Sequence, residues 1–214
     1  MRGMIALSFV FIGWGCAFSN LTVHPPSGPI ASGIRGGQGR EIVLEVAFSD
    51  DRPTPKRCGM QKNGFNADTA NVFCSREPSA YLAELLANEL KEVGFTVTPE
   101  PQSSDPLKIH GKLLQFFVEP KLGLLSFTPE ADIYVHLTAA SQSGLMAERD
   151  FYVKGEETSV FGWEKNFQLA TDEATRRIIK EMAAAILALC DRFPEVGIAK
   201  AMRVSLRTTG DRPR

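Results

Sequence analysis

The chain lacks the signals that would assign it quickly. Its formal net charge is −1 over 214 residues, so whole-chain charge predicts no nucleic-acid partner. Basic and aromatic residues do not alternate as on a single-strand binding platform. Histidines number 3, at 24, 110 and 136, in separate segments, and no HExxH or Cys/His pairing is present. That spacing names no metal centre. No GxSxG elbow occurs, and Gly36-Gly37-Gln38-Gly39 precedes a strand and has no Gly-Lys-Ser/Thr, which argues against a phosphate loop. Scattered Ser, His and Asp imply no catalytic geometry, and Glu156-Glu157 reads as a solvated pair. No enzyme activity, cofactor or metal is therefore expected.

Long hydrophobic runs are also missing. The longest, Met4 to Ile12, is too short for a span of about 20 apolar residues and fits the core of an export signal. Arg2 precedes it, and Gly13-Trp14-Gly15 then leads to Cys16. Residues 1–16 read as a signal peptide, with Cys16 as the lipid attachment point and the membrane as a partner through its acyl chains. Gly15 and Cys16 match a bacterial lipobox; Gly13 and Trp14 fit it poorly. The other route is cleavage at a small-x-small site, giving a soluble secreted protein.

What is present is a globular composition, 43% hydrophobic and 23% charged. Residues 17–40, rich in Gly, Pro and Ser, read as a flexible linker. Residues 41–195 read as one domain and 196–214 as a basic tail, in which Lys200, Arg203, Arg207, Arg212 and Arg214 oppose only Asp211. Of the 4 cysteines, Cys58 and Cys74 are the natural disulfide in an oxidising compartment, closing a loop of about 16 residues. Zinc and two free thiols are the rival readings. Cys190 falls on an apolar helix and reads as a buried free thiol.

The periodicities predict an α+β fold in the order β-α-β-β-β-β-α, a single mixed or antiparallel sheet with two helices on one face. Glu41 to Phe48 is a strand with Ile42, Leu44, Val46 and Phe48 on one side. Asp50 and Asp51, before Pro53, read as turn residues, and 54–77 as a long polar loop. Ser79 is the expected N-cap of a helix with its stripe at Tyr81, Leu82, Leu85, Leu86, Leu90 and Val93, stopped by Gly94. A short strand starts at Phe95-Thr96-Val97, and three longer ones follow at 107–118, 131–140 and 146–154 in an antiparallel meander. Asn166 to Phe193 is the strongest helix, ended by Pro194. Between two strands, Leu122, Leu124, Leu125 and Phe127 form an apolar loop, either folded on the core or protruding as an interaction loop.

Gly15-Cys16, Val46 to Pro53 (VAFSDDRP), Asn63-Gly64-Phe65 and Glu92-Val93-Gly94-Phe95 together resemble the YajG-like family of bacterial lipoproteins, over roughly residues 41–190. The loop cysteines depart from that pattern. The resemblance implies a small α/β lipoprotein domain at the periplasmic face of the outer membrane, with Ala17 compatible with outer-membrane sorting. It brings no catalytic residues. The function expected is a non-catalytic binding or assembly module docking on an envelope protein complex. The alternative is a periplasmic carrier of a lipid or cell-wall ligand.

Overall fold

The computed structural model describes residues 19–123, 127–157 and 163–198. Its frame is a meander of three long strands. Leu107–Leu122 (β7), Phe127–Ala140 (β8) and Met146–Glu156 (β9) pair antiparallel in sequence. Six shorter strands precede them: Leu21–Val23 (β1), Glu41–Leu44 (β2), Ser49–Asp50 (β3), Gly59–Lys62 (β4), Asp68–Cys74 (β5) and Thr96–Thr98 (β6). The free edge of β7 receives β2, β3 and β4 in succession, all parallel to it, at Leu107–Ile109, Lys112–Leu113 and Val118. Strand β6 extends the sheet beyond β2, and β5 then β1 extend it beyond β4. The fold is the expected α+β architecture with one mixed sheet; the additional strands are the refinement.

Alternation along the meander separates two faces. Leu107, Ile109, Leu113, Phe116 and Val118 on β7, Ile133, Val135 and Leu137 on β8, and Phe151 and Val153 on β9 are buried. A register shift between Leu113 and Gln115 resets the alternation of β7 and keeps Phe116 inward. Two helices contribute to the core: Pro78–Val93 (α1) and Trp163–Arg192 (α2). In α2 the stripe Phe167, Ala170, Ala174, Ile178, Met182 and Ile186 is buried, as its spacing predicts. At Gly155 a Cβ would lie 2.2 Å from the Ala170 carbonyl oxygen, so the missing side chain lets α2 approach β9 closely there.

Several expectations are corrected. The strand expected to Phe48 ends at Leu44, and Val46 is 83% exposed because the chain leaves the sheet before re-entering at β3. The expected polar loop 54–77 contains the β4–β5 hairpin. Helix α1 starts after Glu77, with Pro78 in the first turn, so Ser79 is a buried helical residue rather than the N-cap. Proline's fixed φ suits that position. Gly94 caps the other end in the left-handed conformation, φ 112°.

The largest correction concerns the expected linker. From residue 19 onward it is packed on the body. Strand β1 pairs parallel with β5, and Leu21, Val23 and Ile30 join the core. His24 and Gln168 exchange two hydrogen bonds of 2.9 Å. Arg176 donates to the carbonyls of Ser27 (2.7 Å) and Pro29 (3.0 Å). Buried Glu89 accepts from the Ser32 amide and hydroxyl. The start of the expected tail is docked too: the Glu41 amide donates to Gly197 O, and Val196 is buried. Residues 1–18, with Cys16, and 199–214 lie outside the described residues.

Candidate functional site

The sheet face away from the helices carries the polar and aromatic members of the alternation. Lys112, His136 and Asp150 form one cross-strand row; Gln115, Tyr134 and Tyr152 form the next; Phe117, Asp132 and Lys154 a third. The rings of Tyr134 and Tyr152 stand edge to face with centroids 6.3 Å apart. Tyr152 is half exposed, and its hydroxyl donates to Asp132 at 2.5 Å. That hydrogen bond is the main cause that moves the phenol above its ordinary range. His136 Nδ1 lies 2.8 Å from Asp150, and Lys154 lies 3.0 Å from Asp132. The Arg57 guanidinium sits over the Phe117 ring at 5.6 Å. These contacts hold the aromatic side chains in place on the solvent side of the sheet.

One end of this face is fixed by Glu130. Its carboxylate, 4% exposed, receives Lys121 and Lys154. Burial alone would raise its pKa, but the two ammonium hydrogen bonds outweigh that and hold it at about 2. The other anchor is Arg52. Its side chain is buried and donates to both Asp50 oxygens (2.8 and 2.7 Å), the Pro55 carbonyl (2.8 Å) and Glu77 (3.0 Å). The arginine holds the Asp50 carboxyl below its ordinary value. Glu77 is moved the other way, first by burial and then by Asp50 beside it. Cys58 and Cys74 form the expected disulfide, Cα–Cα 5.6 Å, at the base of the same loop. Arg52 therefore ties β3, the N-terminus of α1 and the disulfide loop into one unit that borders the open face.

The structure scatters the other expected site residues. Phe127 is half-buried, packed against Phe167 at 6.2 Å, so this member of the apolar loop faces the core. The side chain of Leu122 and all of Leu124 and Leu125 lie outside the described residues. Cys190 is a buried free thiol whose pKa burial pushes up. The histidines do not meet: His24 pairs with Gln168, His110 with Glu45 at 2.8 Å, and His136 with Asp150. Among the described residues no cluster of three His, Cys, Asp or Glu is placed to hold a metal, and no helix is long and apolar enough to cross a membrane. Sequence alternation puts Tyr134 outward on its strand with Asp132 and His136 but does not single it out, and sequence reading misses Tyr152 and Arg52. The outward parity of β8 and β9 is the signal that finds the tyrosines; Asp-x-Arg after a strand is a weak one for Arg52.

The comparisons agree with this picture at the level of fold and family. Protein XCC0632 from Xanthomonas campestris is 12% identical, with a TM-score of 0.54, over 84% of this chain and 99% of that one. That shows a shared fold and no more. The hypothetical protein CT253 from Chlamydia trachomatis is also 12% identical, with a TM-score of 0.42, over 70% of this chain and 96% of its own. No curated protein matches the sequence. A family model described as an uncharacterized lipoprotein matches residues 37–185. This range holds the core stripe of α1, that of α2 as far as Met182, the Arg52 unit and the whole meander, and the chain belongs to that lipoprotein family.

Proposed function

We propose that the protein is a lipid-anchored envelope module, tethered through Cys16 at the periplasmic face of the outer membrane, that docks a protein partner on its open sheet face. The observation that carries the reading is the Tyr134–Tyr152 pair: two neighbouring tyrosines on the solvent side of the sheet, pre-ordered by Asp132 and Lys154, beside Arg57 on Phe117. Tyrosine and arginine dominate the energetic centres of protein interfaces. Aromatic side chains that stand out from a sheet face, rather than line an enclosed cavity, favour a macromolecular partner over a small molecule. Membership of a lipoprotein family supports the anchor.

The geometry supports an orientation. The Ser19 carbonyl accepts from Gln61 at 2.5 Å, and Lys62 pairs with Glu119 at 2.6 Å. The chain therefore enters the described body at the same end as the β7–β8 tip, leaving the open face standing away from the membrane. The ends of β7 and β8 at Lys121 and Phe127 would then lie on the membrane side.

A photocrosslinking residue placed at Tyr152, in cells, tests the docking surface, with Lys180 on the exposed side of α2 as control. One discrete protein adduct at 152, lost in Tyr134→Ala and absent at 180, is the expected result. The same adducts at both positions, or recovery of small lipids alone, would sink the docking surface. Mass spectrometry of the mature N-terminus tests the anchor independently, because a start beyond residue 16 removes it.

A further inference from the structure

The interface between α2 and the sheet is tight at one end and open at the other. Close approach at Gly155 seats Ala170 and Ala174 against β9, and Phe167, Ile178 and Met182 fill the layer nearby. Farther along, the facing positions are small. Ala139 and Ala147 are cross-strand partners on β8 and β9, and Ala185 faces them from α2. With three alanines facing one another the helix and sheet do not fill the space between them, and a cleft of about 270 Å³ remains, floored by Phe151, Ile186 and Leu189.

The mouth of this apolar cleft is polar. Arg149 and Arg192 border it, with Glu148 beside them. Arg149 lies over the Phe151 ring at 5.2 Å and Arg192 over Phe193 at 5.6 Å. Both are thus held by ring faces, and among the described residues neither is seen paired with a carboxylate. The rim carries a net positive charge of about one, and two guanidinium forks match a carboxylate in geometry. We propose that this cleft binds a single-chain anionic amphiphile: an acyl chain against Phe151, Ile186 and Leu189, its carboxylate on Arg149 and Arg192. The volume of about 270 Å³ falls just below the usual range of ligand sites, about 300–1,000 Å³, which suits one chain and excludes a whole diacyl lipid.

Two occupants from this chain itself are disfavoured. The basic tail, 199–214, would bring five cationic side chains to a cationic mouth. The chain's own lipid starts at the wrong end: Gln168, next to His24, is 21 residues from Leu189 along α2, about 30 Å. Three residues from Cys16 to Ser19 span at most about 10 Å. This inference is independent of the docking surface, which lies on the opposite side of the sheet, and either can fail alone.

The test is photolabelling of the full chain with dodecanoic acid carrying a diazirine, compared with the same chain bearing a trimethylammonium head, and mapping by mass spectrometry. The acid is expected on peptides holding Phe151, Ile186 and Leu189, at least tenfold above the cationic probe. Arg149→Glu with Arg192→Glu should reverse that preference, and Ala185→Phe should abolish labelling by both while leaving the thermal melt in place. Equal labelling by the two probes, labelling outside the cleft, or no effect of either variant overturns the proposal. Labelling that emerges only when 199–214 is removed makes the tail the occupant and overturns it as well.

Discussion

Replacing Arg52 by Met keeps the length of the side chain and removes its charge and donors. The variant leaves Asp50, whose side chain is 17% exposed, facing Glu77 with no cation between them. Breaking a buried ion pair by deleting one partner costs about 3–5 kcal/mol. The lower end applies here, about 3 kcal/mol, because the Glu77 side chain is half exposed and water recovers part of the loss. With an urea slope of about 2 kcal/mol/M, the midpoint should fall by roughly 1.5 M. Adding Asp50→Asn neutralises the stranded carboxylate, so the double variant should regain about 1 kcal/mol over Arg52→Met alone. The pH dependence has a definite sign. The folded-state pKa of Asp50 is depressed below its ordinary 3.8, so the pair's contribution is fully present above that value and is lost as pH falls through the depressed one. Wild type and Arg52→Met should therefore converge in strong acid. A midpoint shift below about 0.3 M at pH 7, with no coupling to Asp50, would refute the view that Arg52 holds this corner together.

Glu130 predicts a second acid limb. Its carboxyl sits at about 2 instead of 4.5, so its contribution is present above 4.5 and disappears as pH falls toward 2. The ceiling is about 3 kcal/mol, and half-exposed lysine partners screen it to about 1–2. Glu130→Gln should flatten stability between pH 5 and 2, at about those values, in denaturant titrations; an unchanged acid limb would count against the assignment. Replacing both Cys58 and Cys74 by Ala should cost about 3 kcal/mol by the loop-closure model for a sequence separation of 16. The paired backbone, Cys58 amide to Val72 carbonyl at 2.8 Å, should preserve the fold, so circular dichroism should match wild type while the urea midpoint drops. A loss under about 0.5 kcal/mol would mean the loop is already constrained in the unfolded chain.

The long elements were legible because their own periodicity carries the information. The stripe from Phe167 to Ile186 and the alternation Ile133, Val135, Leu137 each need only neighbours in sequence to be read. Gly94 announced its helix end for the same reason: only a left-handed residue makes that turn cheaply. The short strands were hidden because their stabilisation is remote. Strand β1 has three residues and takes its pairing from β5, about fifty positions away, while its neighbours Ser27 and Pro29 are held by their carbonyl oxygens rather than by side chains. A Gly/Pro/Ser composition records none of that. Val46 failed for a different reason: alternation predicts a face only while the chain stays in the sheet, and β2 leaves after Leu44. The motif Val46 to Pro53 was legible as family resemblance but its Asp50 was read as turn chemistry. Its purpose depends on Arg52 being buried, and that burial is completed by Glu77, 25 positions away, which no local window contains.

Docking of residues 19–40 changes how an anchored body would work. A free 24-residue leash of this composition would have a root-mean-square reach of about 27 Å, letting the domain sample many heights and orientations above a bilayer. With the described segment fixed by β1, the His24–Gln168 pair and the Arg176 clamp, only Ala17 and Phe18 separate Cys16 from the packed body, about 10 Å at full stretch. The β4–β5 turn lies at this same end, held by Asn63 Oδ1 accepting from the Phe65 and Ala67 amides at 3.0 Å, and it presents Phe65 92% exposed. An exposed phenylalanine at that end could enter the headgroup/acyl boundary of a bilayer beneath it. Under the proposed anchor, the short tether and Phe65 together fix the long strands upright on the membrane. The cleft at the far end of α2 then opens about 30 Å from the entry point of the chain, out of reach of the bilayer's own lipids, so an amphiphile held there has been carried away from the membrane surface.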